Sequence, residues 1–213
     1  VADLGVGQGL LQQLLVRDSP KFLLSLDISK GYVRNARKLF EASEESKVDY
    51  YTAVGNVEFM PYRACFDVVV ATDILEHVLN LANALSRISR MLVPRGRFFC
   101  RVPFEEKLGQ YSVYNGQKYQ FAHLRFFGKR SLSDQLREVG LFPRVFHYFG
   151  YQPGLFRNGV PRPLHRVLGK ALDIAGCFGK DCYEFNRKAR NPFYWPIRLI
   201  HRPTEILVEA VKK

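Results

Sequence analysis

The first nine residues, VADLGVGQG (Val1–Gly9), decide the fold. They read as a buried strand running into a glycine-rich turn and then a helix, expected from about Gly9 to Arg17. Gly5, Gly7 and Gly9 stand at alternate positions after Asp3, so the backbone can turn tightly and come closer to a ligand than any side chain would permit. The free N–H groups at the start of the following helix point at whatever occupies that turn. Taken alone, the pattern suits nucleotide, flavin and sulfonium sites, and equally a plain tight turn.

Working outward, FLLSLD (Phe22–Asp27) is a short apolar run ending in an acid, and the stretch from Ser29 to Ser43 has helical spacing with Ser29 as its N-cap. VDYYTAV (Val48–Val54) alternates and is rich in β-branched and aromatic residues, as a strand should be. FDVVVA (Phe66–Ala71) is continuously apolar, the signature of a strand buried on both faces of a parallel sheet. A long helix is expected over Ile74–Leu92, with Leu75, Val78, Leu81, Ala82, Leu85, Ile88 and Leu92 on one side. Pro94 and Gly96 should end it, RFFCRVP (Arg97–Pro103) should be the fifth strand, and the polar loop from Phe104 to about Ala122 has the length of a lid. Ser131 is expected to cap a helix running to Val139, with Gly140 ending it and Phe142–Gln152 forming a sixth strand.

These alternations imply an α/β fold, a Rossmann-like doubly wound and mostly parallel sheet, closed by a terminal antiparallel strand in TEILVEAVKK (Thr204–Lys213). Three parts are therefore expected: a core over 1–152, a helical, basic and aromatic insertion over 153–203, and the final core strand over 204–213. Ligands of such sheets bind at the carboxyl ends of the strands, where Asp3 and its glycines, Asp27, Asn56 and Asp73 all fall.

Composition narrows the function. The chain has 213 residues, 47% of them hydrophobic and 24% charged, which suits one globular domain with an appendage. It opens on Val1, already inside a strand, so a preceding segment is expected. No run reaches the roughly 18 apolar residues that span a bilayer. Cys65, Cys100, Cys177 and Cys182 form no C-x-x-C pair and have no zinc-like spacing with histidine, so they read as reduced thiols of a cytoplasmic protein, and no metal is expected. The net charge of +12 is uneven: residues 151–213 carry 12 basic and 5 acidic side chains. An anionic partner for this tail, or a merely solvated basic face, would explain that asymmetry.

Taken together, DLGVGQG, LDIS, GNVEFMPY, FDVVVATDILEHV, LVPRGRFFCRVP and HLRFFGKRSLSDQLREVGL resemble the class I S-adenosylmethionine-dependent methyltransferases, particularly those acting on small molecules, lipids and glycans. The resemblance covers about residues 1–150 and the closing strand, and it lacks the family's N-terminal segment. It implies S-adenosyl-L-methionine as cofactor, with Gly5, Gly7 and Gly9 cradling the methionine part and Asp3 supporting the turn and the amino group. Asp27 would hold the ribose diol, Ile28 would lie against adenine, and Val57 would supply a backbone contact. Asn56 stands where the family usually has Asp, and its amide oxygen is expected to accept from the adenine amine. Thr72 and Asp73 would line the sulfonium end, Asp73 alternatively capping the helix.

The implied reaction is an in-line displacement in which the protein aligns the acceptor and excludes water. A hydroxyl acceptor would need a base, for which His77, His123 and the lid tyrosines are candidates, each with a structural role as the alternative. In the tail, PLHRVLGKALDIAGCF and NPFYWPIRLIHR suit either a cap over the substrate or the surface of an anionic membrane. An RNA methyltransferase and a catalytically silent cofactor-binding module are the competing readings, nucleic acid ranking lower because no RNA-binding module and no NPPY-like motif is present.

Overall fold

The opening pattern places a strand at the centre of a sheet. In the computed structural model, which describes residues 1–43, 47–105, 113–114, 117–118, 123–151, 161, 163–164, 167 and 201–213, the elements follow in the expected order. They are β1 (Ala2–Leu4), α1 (Leu10–Arg17), β2 (Phe22–Asp27), α2 (Lys30–Glu41), β3 (Asp49–Val54), β4 (Phe66–Thr72), α3 (Leu81–Met91) and β5 (Leu92–Pro103). A short ribbon, β6 (Val113–Tyr114) with β7 (Gln117–Lys118), precedes α4 (Lys129–Glu138), β8 (Leu141–Phe149) and β9 (Glu205–Lys212).

The seven long strands form one sheet in the order β3-β2-β1-β4-β5-β9-β8. β1 pairs in parallel with both β2 and β4, and β2–β3 and β4–β5 are parallel too. β9 runs against β5: Lys212 Nζ donates to Leu92 O at 2.7 Å and Arg97 meets Glu209 at 2.9 Å, so the two strands' numbering runs in opposite directions. The order reverses beside β1, and right-handed crossovers then put α1 and α2 on one face and α3 on the other. That reversal opens a crevice at the carboxyl ends of β1 and β4. Ala2, Leu4, Leu23, Val69, Ala71, Phe98 and Val102 are buried on these strands, which explains their unbroken apolar runs.

Three local expectations are corrected. The helix predicted over Ile74–Leu92 begins only at Leu81, because Asn80 Oδ1 accepts from Asn83 N at 3.0 Å and caps it there. Upstream, the N–H groups of Leu79 and Asn80 go to the Glu58 carboxylate at 3.0 and 3.1 Å, and Asp73 sits at φ 57, so the chain from Asp73 to Asn80 is not helical. The buried stripe shifts accordingly to Leu81, Ala84, Leu85 and Ile88, and Ala82 is exposed. β5 starts directly after α3, at Leu92, carrying Pro94 and Gly96 within it, and its pairing with β4 shifts register between Phe66 and Val68. In α4 the cap is Gly128; Ser131 lies one turn in, its Oγ accepting from Gly128 N at 3.1 Å. Gly140 ends α4 in the left-handed region at φ 78, as expected.

The chain divides into two compact units, Val1–Phe146 with Leu207–Lys213, and His147–Ile206. In the second, Thr204 N donates to Phe149 O at 3.0 Å and its Oγ1 to Gly150 O at 2.8 Å. Most of the lid and of the 153–203 insertion, including Tyr111, Tyr119, Cys177, Cys182 and the aromatic cluster at Phe193–Trp195, lies outside the described residues. Among the described residues no helix is long and apolar enough to cross a membrane.

Candidate cofactor site

The turn after β1 is built as the glycines require. Gly5, Gly7 and Gly9 all lie in the left-handed region, at φ 75, 50 and 79. A Cβ on Gly5 would fall 2.0 Å from Ile74 Cγ2 and one on Gly9 2.9 Å from Leu39 Cδ1, whereas one on Gly7 would meet nothing nearer than Gly5 O at 3.9 Å. Gly5 and Gly9 are therefore packed against the protein, and Gly7 is the position over which the turn is open. Gly5 N and Val6 N both donate to Leu26 O, at 2.7 and 3.1 Å.

Asp27 joins this turn to the next. Its Oδ2 accepts from Gly7 N at 3.0 Å and its Oδ1 from Ser29 N at 2.8 Å, while Ser29 Oγ caps α2. Each carboxylate oxygen keeps a second acceptor position for a ligand hydroxyl. Around this corner lies a cavity of about 490 Å3. Gly5, Leu26, Asp27 and Ile28 form one wall, Gly55 to Glu58 a second, and Ile74, His77, Val78 and Leu79 a third. Ile28 is 71% exposed, an apolar surface presented to the cavity by a residue with no core role. Val57 is buried.

The third wall depends on a residue that sequence reasoning missed. Glu58 is buried, and its two carboxylate oxygens hold Leu79 N and Asn80 N while its carbonyl accepts from Asn83 Nδ2 at 2.6 Å. Charge-assisted bonds of this kind contribute about 1.5–3 kcal/mol each. Thr72 and Asp73, expected at the sulfonium end, are not among the described lining of the cavity, whereas Ile74 and His77 are. The Asp73 carboxylate is paired with Arg101, whose Nε donates to Oδ1 at 3.0 Å and whose Nη2 contacts Oδ2. Asp73 caps no helix.

Asn56 begins the next turn. Its Oδ1 accepts from Glu58 N at 2.9 Å, capping the 3-10 turn Val57–Phe59. That oxygen keeps one acceptor position for the expected adenine amine, while the other polar atom, Nδ2, is a donor. An aspartate here could cap with one oxygen and accept with the other.

Asp3 is 1% exposed and neither carboxylate oxygen has a hydrogen-bond partner among the described residues. Burial, reinforced by the charge of Asp27, pushes its pKa up from 3.8 to about 7. Such a carboxylate is matched to a cationic ligand group, which an ammonium would supply. Cys100 is fully buried, and burial together with the charge of Glu76 pushes its thiol up to about 12, so it is inert as a nucleophile.

His77 and His123, the two expected bases, come together with Glu76. The two rings lie 5.0 Å apart at 68°, and His123 Nε2 is 4.0 Å from Glu76 Oε1. His77 is exposed and lines the cavity, while Glu76 is 1% exposed.

Residues 2–100 match a family model described as a methyltransferase domain. The sheet order, the glycine turn and the acid at the end of β2 agree with that match, and the fold is that of the class I S-adenosylmethionine-dependent methyltransferases. Over 96 residues it is 33% identical to the ubiquinone biosynthesis O-methyltransferase of Bradyrhizobium diazoefficiens, covering 45% of this chain and 36% of that protein. Over 97 residues it is 30% identical to the mitochondrial arginine-hydroxylase NDUFAF5 of Homo sapiens, covering 45% of this chain and 26% of that one. The chain thus spans well under half of either curated relative. The 1,6-didemethyltoxoflavin-N1-methyltransferase of Burkholderia thailandensis, solved with 1,6-didemethyltoxoflavin and S-adenosylhomocysteine, shares the fold at a TM-score of 0.61, with 17% identity over 100% of this chain and 70% of that one. S-adenosylmethionine is the cofactor of the family, and the open cradle at Gly7, the spare acceptors of Asp27 and the uncompensated Asp3 fit its amino acid and ribose parts.

Two outcomes follow from these carboxylate and amide positions. Because the folded-state pKa of Asp3 is raised, ionising it as the pH rises from 3.8 to about 7 removes about 4 kcal/mol from the ligand-free fold. A ligand ammonium favours the ionised form, so calorimetry should show cofactor affinity falling up to about tenfold per pH unit below pH 7, with Asp3→Asn losing that dependence. An identical pH profile in both proteins would refute the pairing. At the adenine end, Asn56→Asp restores a charged acceptor and should tighten S-adenosylmethionine binding about three- to tenfold, a gain of about 1 kcal/mol. Unchanged or weaker binding would mean that Asn56 does not meet the amine.

Proposed function

We propose that this chain transfers a methyl group from S-adenosylmethionine to a nucleophilic atom of a small molecule, with lipid and glycan acceptors included in that class. The observation that carries the reading is one continuous cavity running from the glycine turn and Asp27 to His77. Bound there, the cofactor supplies a methyl group on a positively charged sulfur, already activated for displacement. The chain's own work is alignment and exclusion of water. Gly5 to Gly9 and Asp27 fix the cofactor, Val57 and Ile28 bracket the base, and His77 stands where the cavity opens, within reach of an acceptor's proton. The ubiquinone biosynthesis O-methyltransferase and the toxoflavin-type N-methyltransferase among the relatives, both acting on small molecules by their names, support the acceptor class.

A second reading has its own support. The human relative is named an arginine-hydroxylase and matches over nearly the same length of chain, so the domain also occurs in a protein named for another reaction. The membrane-surface role of 153–203 and the RNA reading rest on residues most of which lie outside the described set, and both stay as weaker proposals.

The test combines binding with turnover. Purified protein incubated with S-adenosylmethionine and fractionated small molecules, quinones, lipids and glycans should accumulate S-adenosylhomocysteine with one class of fraction. Gly7→Val, which puts a β-branched side chain at φ 50 into the open mouth of the turn, should abolish both binding and turnover at a fold cost of about 1–3 kcal/mol. Tight binding with no S-adenosylhomocysteine from any fraction would sink methyl transfer and favour the second reading.

A further inference from the structure

Glu76, His77 and His123 form a cluster of which the methyl-transfer reading uses only His77. The side-chain ligand atoms of all three lie within 4.8 Å of one another. Two segments that are 46 residues apart in sequence are fastened there by one main-chain bond and two from a side chain. Leu124 N donates to Glu76 O at 2.9 Å, and the Arg125 guanidinium donates to Leu75 O at 3.2 Å and Leu79 O at 3.1 Å. Arg125 is thus spent on carbonyls, and its segment carries His123 to the carboxylate.

We propose that these three side chains bind a divalent cation of the zinc, iron or cobalt kind at the mouth of the cofactor cavity. Two imidazoles and one carboxylate make a donor set that such ions favour, and three protein ligands leave positions open for water or substrate. Ligand atoms bonded to one ion at about 2.1 Å lie about 3 to 4.2 Å apart, so closing the cluster takes side-chain shifts of about an ångström. The gradation in exposure suits that arrangement: Glu76 is buried, the His123 side chain is 26% exposed, and His77 is exposed and faces the cavity. At 4.0 Å, His123 Nε2 and Glu76 Oε1 are too far apart for a direct hydrogen bond, and an ion between them would bring both into its coordination shell. Resting on the function proposed above, the open positions would take an acceptor with a hydroxyl or adjacent oxygen pair. The ion would lower that hydroxyl's pKa, its proton leaving to solvent.

Metal binding is tested without any acceptor. Chelator-treated protein titrated with cobalt(II) alone should bind one equivalent with the visible absorption of a low-symmetry nitrogen–oxygen site, and zinc(II) should displace it. Calorimetry should then show His77→Ala and His123→Ala each weakening zinc(II) at least about 100-fold, more than loss of an outer-sphere partner costs. His147→Ala, outside the cluster, should bind as the parent does, and unchanged circular dichroism in the histidine variants would show that they fold. Glu76→Gln serves as a third variant if it folds. No binding below about 1 mM, or binding that both histidine variants retain, overturns the proposal. S-adenosylmethionine titrated into the parent protein keeps the two readings apart: cofactor binding without metal binding there condemns only the metal site, and no cofactor binding condemns the function.

Discussion

The structure turns on one carboxylate. Asp27 ends β2 and spends one oxygen on the N–H of Gly7 and the other on the N–H of Ser29, so the loops after β1 and β2 are held as a single corner. That corner exists only because three glycines take left-handed dihedrals that other residues adopt at a cost, and because the strand order reverses beside β1 and leaves space above it. Without Asp27, the turn would lose its carboxylate tie to the second loop and keep only the bonds to Leu26 O and from Asn35. Without the turn, the cavity would have no floor.

A second buried carboxylate finishes the pocket. Glu58 gathers the N–H groups of Leu79 and Asn80, which prevents the Asp73–Asn80 stretch from continuing α3 upstream and lays it along the cavity as a wall. The same stretch carries Glu76 and His77, so the bonds that shape the wall also set the histidine at the mouth. Asp3 plays the opposite part: buried and without a described partner, it makes the ligand-free fold less stable at neutral pH and better matched to a cation.

Much of this was legible in the sequence wherever the deciding contacts are local. The glycine spacing, the Ser29 cap and the apolar runs of β2 and β4 act over a few residues, so their pattern is their structure. The features that escaped depend on partners far along the chain. Ile74–Asn80 has helical spacing, yet its N–H groups answer to a glutamate some twenty residues upstream, and no periodicity reports that. Asn56 offers an amide oxygen, and only the structure shows that the turn it begins takes one of its two acceptor positions for Glu58 N. His123 could be singled out, but its meeting with Glu76 and His77 is made by the Leu124 N–H and the Arg125 guanidinium, which bond carbonyls of a segment about fifty residues upstream.

On the function proposed above, the corner formed by Gly5 to Gly9 and Asp27 is the S-adenosylmethionine site. A crystal structure of the chain with S-adenosylhomocysteine tests it most directly. Ligand density is expected with the amino acid end over Gly7, the ribose hydroxyls on Asp27 and the base between Ile28 and Val57. Density elsewhere, or a ribose that leaves the Asp27 carboxylate untouched, would contradict it.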